Sequence, residues 1–148
     1  MSKLDTFLAL DKADRLATIE AMAALLYCKA LVGSVSPRHW RSSFGPFGQI
    51  HQGNIAEADL ETVRRIRLAI VRALRNIPGA PNCLPQALAA RRMLARRGIA
   101  SDLYIGTKRN QDGIAKFHAW LKVGGEWVTG LCDENEYRLF IAGDAEAA

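Results

Sequence analysis

The sequence predicts an α+β fold in which N-terminal helices precede a helix packed on a small antiparallel β-sheet. Three observations carry this. Apolar residues recur at helical spacing as far as Arg97. From Ser101 onward the pattern changes to short β-rich runs. Two of those runs are separated only by Gly124-Gly125, a hairpin signal. With 148 residues, one core and one domain are expected over 1–148. Its helical part is expected at about 11–77, and its functional helix and sheet at about 83–142.

Asp11 is placed to cap a helix from Lys12, with Asp14 three positions on as in a capping box. Leu16, Ile19, Ala23, Leu26 and Ala30 follow at helical spacing until Gly33, and Met22 and Leu25 widen the apolar face. Ser36-Pro37-Arg38 starts a short helix carrying Trp40, and Gly45 to Asn54 reads as a loop. A second long helix is predicted from about Ala56 to Asn76. Acidic residues load its start and arginines its end, and Val63, Ile66, Ile70, Ala73, Leu74 and Ile77 form its buried stripe. Pro78-Gly79-Ala80-Pro81 closes it.

The third helix, from about Leu84 to Arg97, begins just after Cys83, tolerates Pro85 in its first turn and stops at Gly98. Cys83, Ala87, Ala90 and Leu94 share one face, the inward one, and the alanines allow a close approach to a sheet. Leu103-Tyr104-Ile105 is a strand and Thr107 to Gly113 a polar loop. Phe117–Val123 and Glu126–Leu131 form the hairpin, and Tyr137 to Ile141 is a last strand. The end, 143–148, reads as a frayed tail.

Composition narrows the class. The chain is 49% apolar and 24% charged, an ordinary globular balance. Twenty Lys and Arg against 15 Asp and Glu are compatible with an acidic partner or nucleic acid and decide neither. Cys28, Cys83 and Cys132 match neither a disulfide framework nor a zinc ribbon. No secretory signal is legible, and the apolar run from Ala21 to Cys28 is far short of the ~20 residues of a membrane span. The expectation is a soluble, cytoplasmic protein with no metal or organic cofactor.

The chemistry is concentrated in two residues. A thiol at a helix start lies among unpaired N–H groups and the positive end of the helix dipole, which favours thiolate; Cys83 is so placed. His118, within Lys116 to Val123, follows on a strand, and an imidazole beside a thiol completes the pair of a cysteine hydrolase or acyltransferase. Cys28, in mid-helix, and Cys132, after a strand, read as packed thiols. His39 and His51 lie in polar, loop-like surroundings and are weaker candidates. If Gly124-Gly125 is a two-residue turn, equal counting sets His118 opposite Leu131, with Thr129 and Asp133 as diagonal neighbours. Asp133 is then the carboxylate best suited to orient the imidazole. The many arginines from Arg64 to Arg97 read as a solvated helix face, and Trp120 and Trp127 as packing residues of the hairpin.

Cys83-Leu84-Pro85-Gln86-Ala87-Leu88-Ala89, Met93-Leu94, Arg96-Arg97-Gly98-Ile99, Leu103-Tyr104-Ile105-Gly106 and His118-Ala119-Trp120-Leu121, with the hairpin through Val128-Thr129-Gly130, form a familiar series. Together they resemble the leader peptidases of lasso-peptide biosynthesis, within the transglutaminase-like cysteine protease superfamily. The resemblance covers about Arg64 to Leu131 well. It implies a transglutaminase- or papain-like core and a cytoplasmic protease that cuts the leader from a ribosomally made precursor peptide. It implies two partners besides that substrate, a leader-recognition protein and an ATP-dependent macrolactam synthetase. By position Cys83 would be the nucleophile and His118 the general base. The family's usual aspartate falls close to Gly130, where this chain has none, and Asp133 is the nearest replacement. Two alternatives stand beside this: a transglutaminase-like acyl or amide transferase, and a non-enzymatic basic module for peptides or nucleic acid.

Overall fold

In the computed structural model, residues 1–45 and 54–139 are described. The expected loop at Gly45–Asn54, His51, the end of the last strand and the tail at 143–148 fall largely or wholly outside them. Five α-helices are seen: α1 (Lys3–Leu8), α2 (Lys12–Ser34), α3 (Pro37–Trp40), α4 (Glu57–Leu74) and α5 (Cys83–Ala95). Four strands follow, β1 (Asp102–Arg109), β2 (Ala115–Val123), β3 (Glu126–Thr129) and β4 (Arg138–Leu139), with 3-10 turns at Arg41–Phe44 and Glu134–Glu136. The architecture is α+β, as the periodicities predict.

Asp11 caps α2 by accepting the Asp14 amide at 2.7 Å, a one-sided cap. The reciprocal capping box lies instead at Ser2 and Asp5, on α1, a helix the sequence reading passed over. The buried face of α2 differs from the expected one. Ala17, Thr18, Ala21, Ala24, Leu25 and Cys28 go inside, whereas Leu16, Ile19 and Leu26 are about half exposed. The physical reason is closeness: α2 packs against both α4 and α5. Small residues let the backbones approach, so the larger apolar side chains turn outward. By length and mean hydropathy (1.5 over its most apolar 18-residue window) α2 is long and apolar enough to cross a membrane, yet here it packs as a core helix.

Of the expected stripe of α4, Val63, Ile66, Ile70 and Ala73 are inside, Ile77 is buried just past the helix end, and Leu74 is partly buried. Its arginines are less free than a solvated face implies. Arg65 donates to Asp14 on α2 at 2.9 Å, and Arg67 donates to Glu126 and to the Trp127 carbonyl on β3. Helix α5 is central. Ala87, Ala90 and Leu94 are fully buried as predicted, and so are Leu88, Ala89 and Met93, because helices cover one side and β2 and β3 the other. It ends at Gly98 (φ +70°), where the Gly98 and Ile99 amides return to Ala95 and Leu94 in a Schellman arrangement.

The sheet order is β3-β2-β1-β4, antiparallel at every pairing. Strand β1 extends to Arg109, past the expected Ile105, because Thr107, Lys108 and Arg109 pair with Phe117, Lys116 and Ala115. Val123 faces Glu126 as the turn predicts, but a register shift follows and Leu121 faces Thr129. One extra residue on β3 opposes its partner there, a bulge. Equal counting therefore fails beyond it. Thr129 lies opposite Leu121, β3 ends at Thr129, and His118 has no β3 partner in the ladder.

Candidate active site

Cys83 is the first residue of α5, which begins one position earlier than the expected Leu84, with Asn82 as N-cap. The Asn82 side chain makes no capping bond, Pro85 has no N–H, and the Gln86 amide is taken by the Asn82 carbonyl. The amides of Cys83 and Leu84 are thus left without partners among the described residues, two donors at the positive end of the helix. Gln86 ties down the preceding turn through its side-chain amide, which donates to the Pro81 carbonyl at 2.7 Å. Cys83 itself is partly buried against the core and in no disulfide.

The other thiols are poor nucleophiles. Burial pushes the Cys132 thiol up, and the carboxylates of Glu134 and Asp133 push it further. Cys28 is fully buried, and desolvation raises its pKa from 9.0 to about 11, with Arg92 pulling the other way. The unfolded chain ionises this thiol first, so its contribution to stability is present below pH 9 and is lost as pH rises through about 11. Urea unfolding of wild type and Cys28→Ala should show the stability gap narrowing over that window; a constant gap would contradict the assignment.

His118 stands on β2 opposite Gly106. Its Nε2 lies 2.7 Å from the carbonyl oxygen of Gly130. A carbonyl only accepts, so Nε2 carries a hydrogen, and in the neutral ring the lone pair is then on Nδ1. Aromatic rings fix the imidazole in place: Trp120 is stacked at 5.8 Å between centroids, and Tyr137 lies at 5.4 Å. Trp120 is itself buried, stacked on Tyr104 at 5.6 Å, and donates through Nε1 to Glu134 at 2.9 Å. Gly106 makes room for this group, since a Cβ there would lie 2.9 Å from that of Tyr137.

The expected orienter lies elsewhere. Asp133 is exposed and accepts the Asn135 amide at 3.1 Å as cap of the 3-10 turn, while the Gly130 carbonyl holds the imidazole. The bulge in β3 lies just before Gly130, and no count of residues around the turn shows it. Cys83 and His118 are on packed elements, α5 and β2. The ring is on the sheet face of Trp120 and Tyr104, opposite the face whose Ala119, Leu121 and Leu103 pack in the core with α5, and among the described residues no hydrogen bond joins sulfur and imidazole. His39, exposed on α3, accepts from Arg38 at 3.2 Å. Trp127 is partly buried under the Lys122 ammonium, 4.9 Å from the ring centroid. Among the described residues no group of His, Cys, Asp and Glu is arranged to hold a metal.

The family model Transglut_core3, of the transglutaminase-like superfamily, matches residues 22–141, a span that includes both Cys83 and His118. No curated protein and no solved structure matches the chain.

Proposed function

Because the chain belongs to the transglutaminase-like superfamily, whose members are commonly cysteine proteases and transferases, we propose that it is a cysteine peptidase. Its substrate is the precursor of a ribosomally synthesised lasso peptide, from which it removes the leader in the cytoplasm. It acts beside a leader-recognition protein and an ATP-dependent macrolactam synthetase, and needs no cofactor. The observation that carries this reading is the chemistry of α5 and β2. Cys83 opens a helix whose first two amides are unpartnered, and His118 is held as the tautomer with a free Nδ1.

In the reaction, Nδ1 takes the thiol proton and Sγ attacks the scissile carbonyl. The Cys83 and Leu84 amides face the developing oxyanion. The imidazolium then gives its proton to the departing amine, leaving an acyl thioester. Water, deprotonated by the same imidazole, releases the leader as a free acid. The scheme requires Sγ and Nδ1 to come within hydrogen-bond distance in the substrate complex.

The test is incubation with precursor and recognition protein, read by mass spectrometry, with and without a primary amine. The expected products are a leader carboxylic acid and a free core amine, unchanged by the amine. Amide formation instead of hydrolysis would show a transferase, and salt-dependent binding without turnover would show a basic binding module.

A further inference from the structure

At the turn end of the β1–β2 pair, the sheet and the 3-10 turn line a concavity of about 530 Å³. Lys108, Arg109 and Arg138 line it, against one carboxylate, Glu136. That carboxylate is already bonded to Lys108 at 2.8 Å. Among the described residues Arg109 and Arg138 enter no ion pair, so two guanidinium groups remain available on one wall. Tyr137, which also lines the concavity, has its ring 5.4 Å from that of His118. Arg138 pairs with Thr107 on β1, and Gly106, its neighbour, pairs with His118. By this register Arg109 and Arg138 belong to the face of Thr107, and His118 projects from the other face two strand spacings, roughly 10 Å, away.

We propose that this concavity is an acid-binding site, taking an aspartate or glutamate side chain of the precursor peptide. The inference rests on the peptidase reading for its substrate, and on the two arginines for its chemistry. A planar guanidinium pairs with a carboxylate through two parallel N–H···O bonds, which neither an amide nor an apolar side chain reproduces.

Binding is best measured on the full chain carrying Cys83→Ala, which separates it from turnover. The probes are an acetylated, amidated tetrapeptide of alanine and glutamate, its glutamine counterpart, and tetrathymidylate, each followed by NMR titration. The glutamate peptide should bind about tenfold more tightly than the glutamine peptide at low salt, with the difference shrinking at high salt. The shifts should centre on Tyr137 and Arg138, and the double variant Arg109→Gln/Arg138→Gln should abolish the preference. Equal binding of the two peptides, a preference that survives the double variant, or tighter binding of tetrathymidylate would overturn the proposal. Failure of wild type to cleave the precursor, with glutamate-selective binding intact, would reject the peptidase reading and leave the acid site standing.

Discussion

Cys83→Ala should lower precursor cleavage by on the order of 10⁴-fold or more while leaving the melting temperature nearly unchanged. The substitution removes one sulfur from a partly buried site at the end of α5, away from the fully buried positions that hold the helix, so the stability change should stay within about 1 kcal/mol. His118→Ala should bring a loss of similar order through the missing base. It also removes a ring stacked against Trp120 and Tyr137, so its melting temperature should fall. The two effects separate in the pH profile: Cys83→Ala leaves no activity to titrate, whereas His118→Ala should regain residual activity as pH rises and hydroxide replaces the base. Single-turnover cleavage of the precursor, with circular dichroism as the fold control, makes the measurement. Cleavage by Cys83→Ala at more than a few per cent of the wild-type rate would remove the nucleophile from the scheme.

What the sequence disclosed and what it concealed divide along a physical line. Local signals were sufficient for α4 and α5, where one face is apolar and Gly98 ends the helix. The Gly124-Gly125 turn was equally legible, and Val123 pairs with Glu126 as counted. Helix α2 defeated the same method because it is apolar almost all round, so periodicity could not say which side faces inward. The answer came from its neighbours: α4 and α5 demand small residues, and Leu16 and Ile19 are displaced to the surface. The candidate site divides the same way. Cys83 and His118 are candidates by residue type and element, and both fall within the matched superfamily span. The group that holds the imidazole does not, because it is a backbone carbonyl and has no residue identity to read. Asp133 was the natural choice from composition, but the bulge and the cap it makes for the 3-10 turn direct its carboxylate elsewhere.

Gly130 should therefore be the least replaceable residue near the site. Its φ of +74° is a conformation that side chains bearing a Cβ adopt only with strain. A Cβ added there would press into the carbonyl oxygen of Ala119 and lie 2.9 Å from both Cα and Cβ of Trp120. All of these are atoms of the neighbouring strand or its first side-chain carbon, so none can swing aside. Gly130→Ala should cost about 2 to 5 kcal/mol, the sum of backbone strain and overpacking. It should also slow cleavage beyond what lost stability explains, because relief of the clash moves the carbonyl that sets the imidazole tautomer. Gly130→Asp introduces the residue type that the resemblance to leader peptidases sets close to this position, yet it carries the same Cβ. It should fare no better, since the acid cannot enter without displacing the strand it would need to reach across. Gly125→Ala, with nothing within 4 Å of the added carbon, serves as the control and should stay near wild type. Urea unfolding of the three variants decides the matter. A Gly130→Ala protein within 1 kcal/mol of wild type, or a Gly130→Asp protein that cleaves faster, would show that the strand yields and that the carbonyl is not what holds His118.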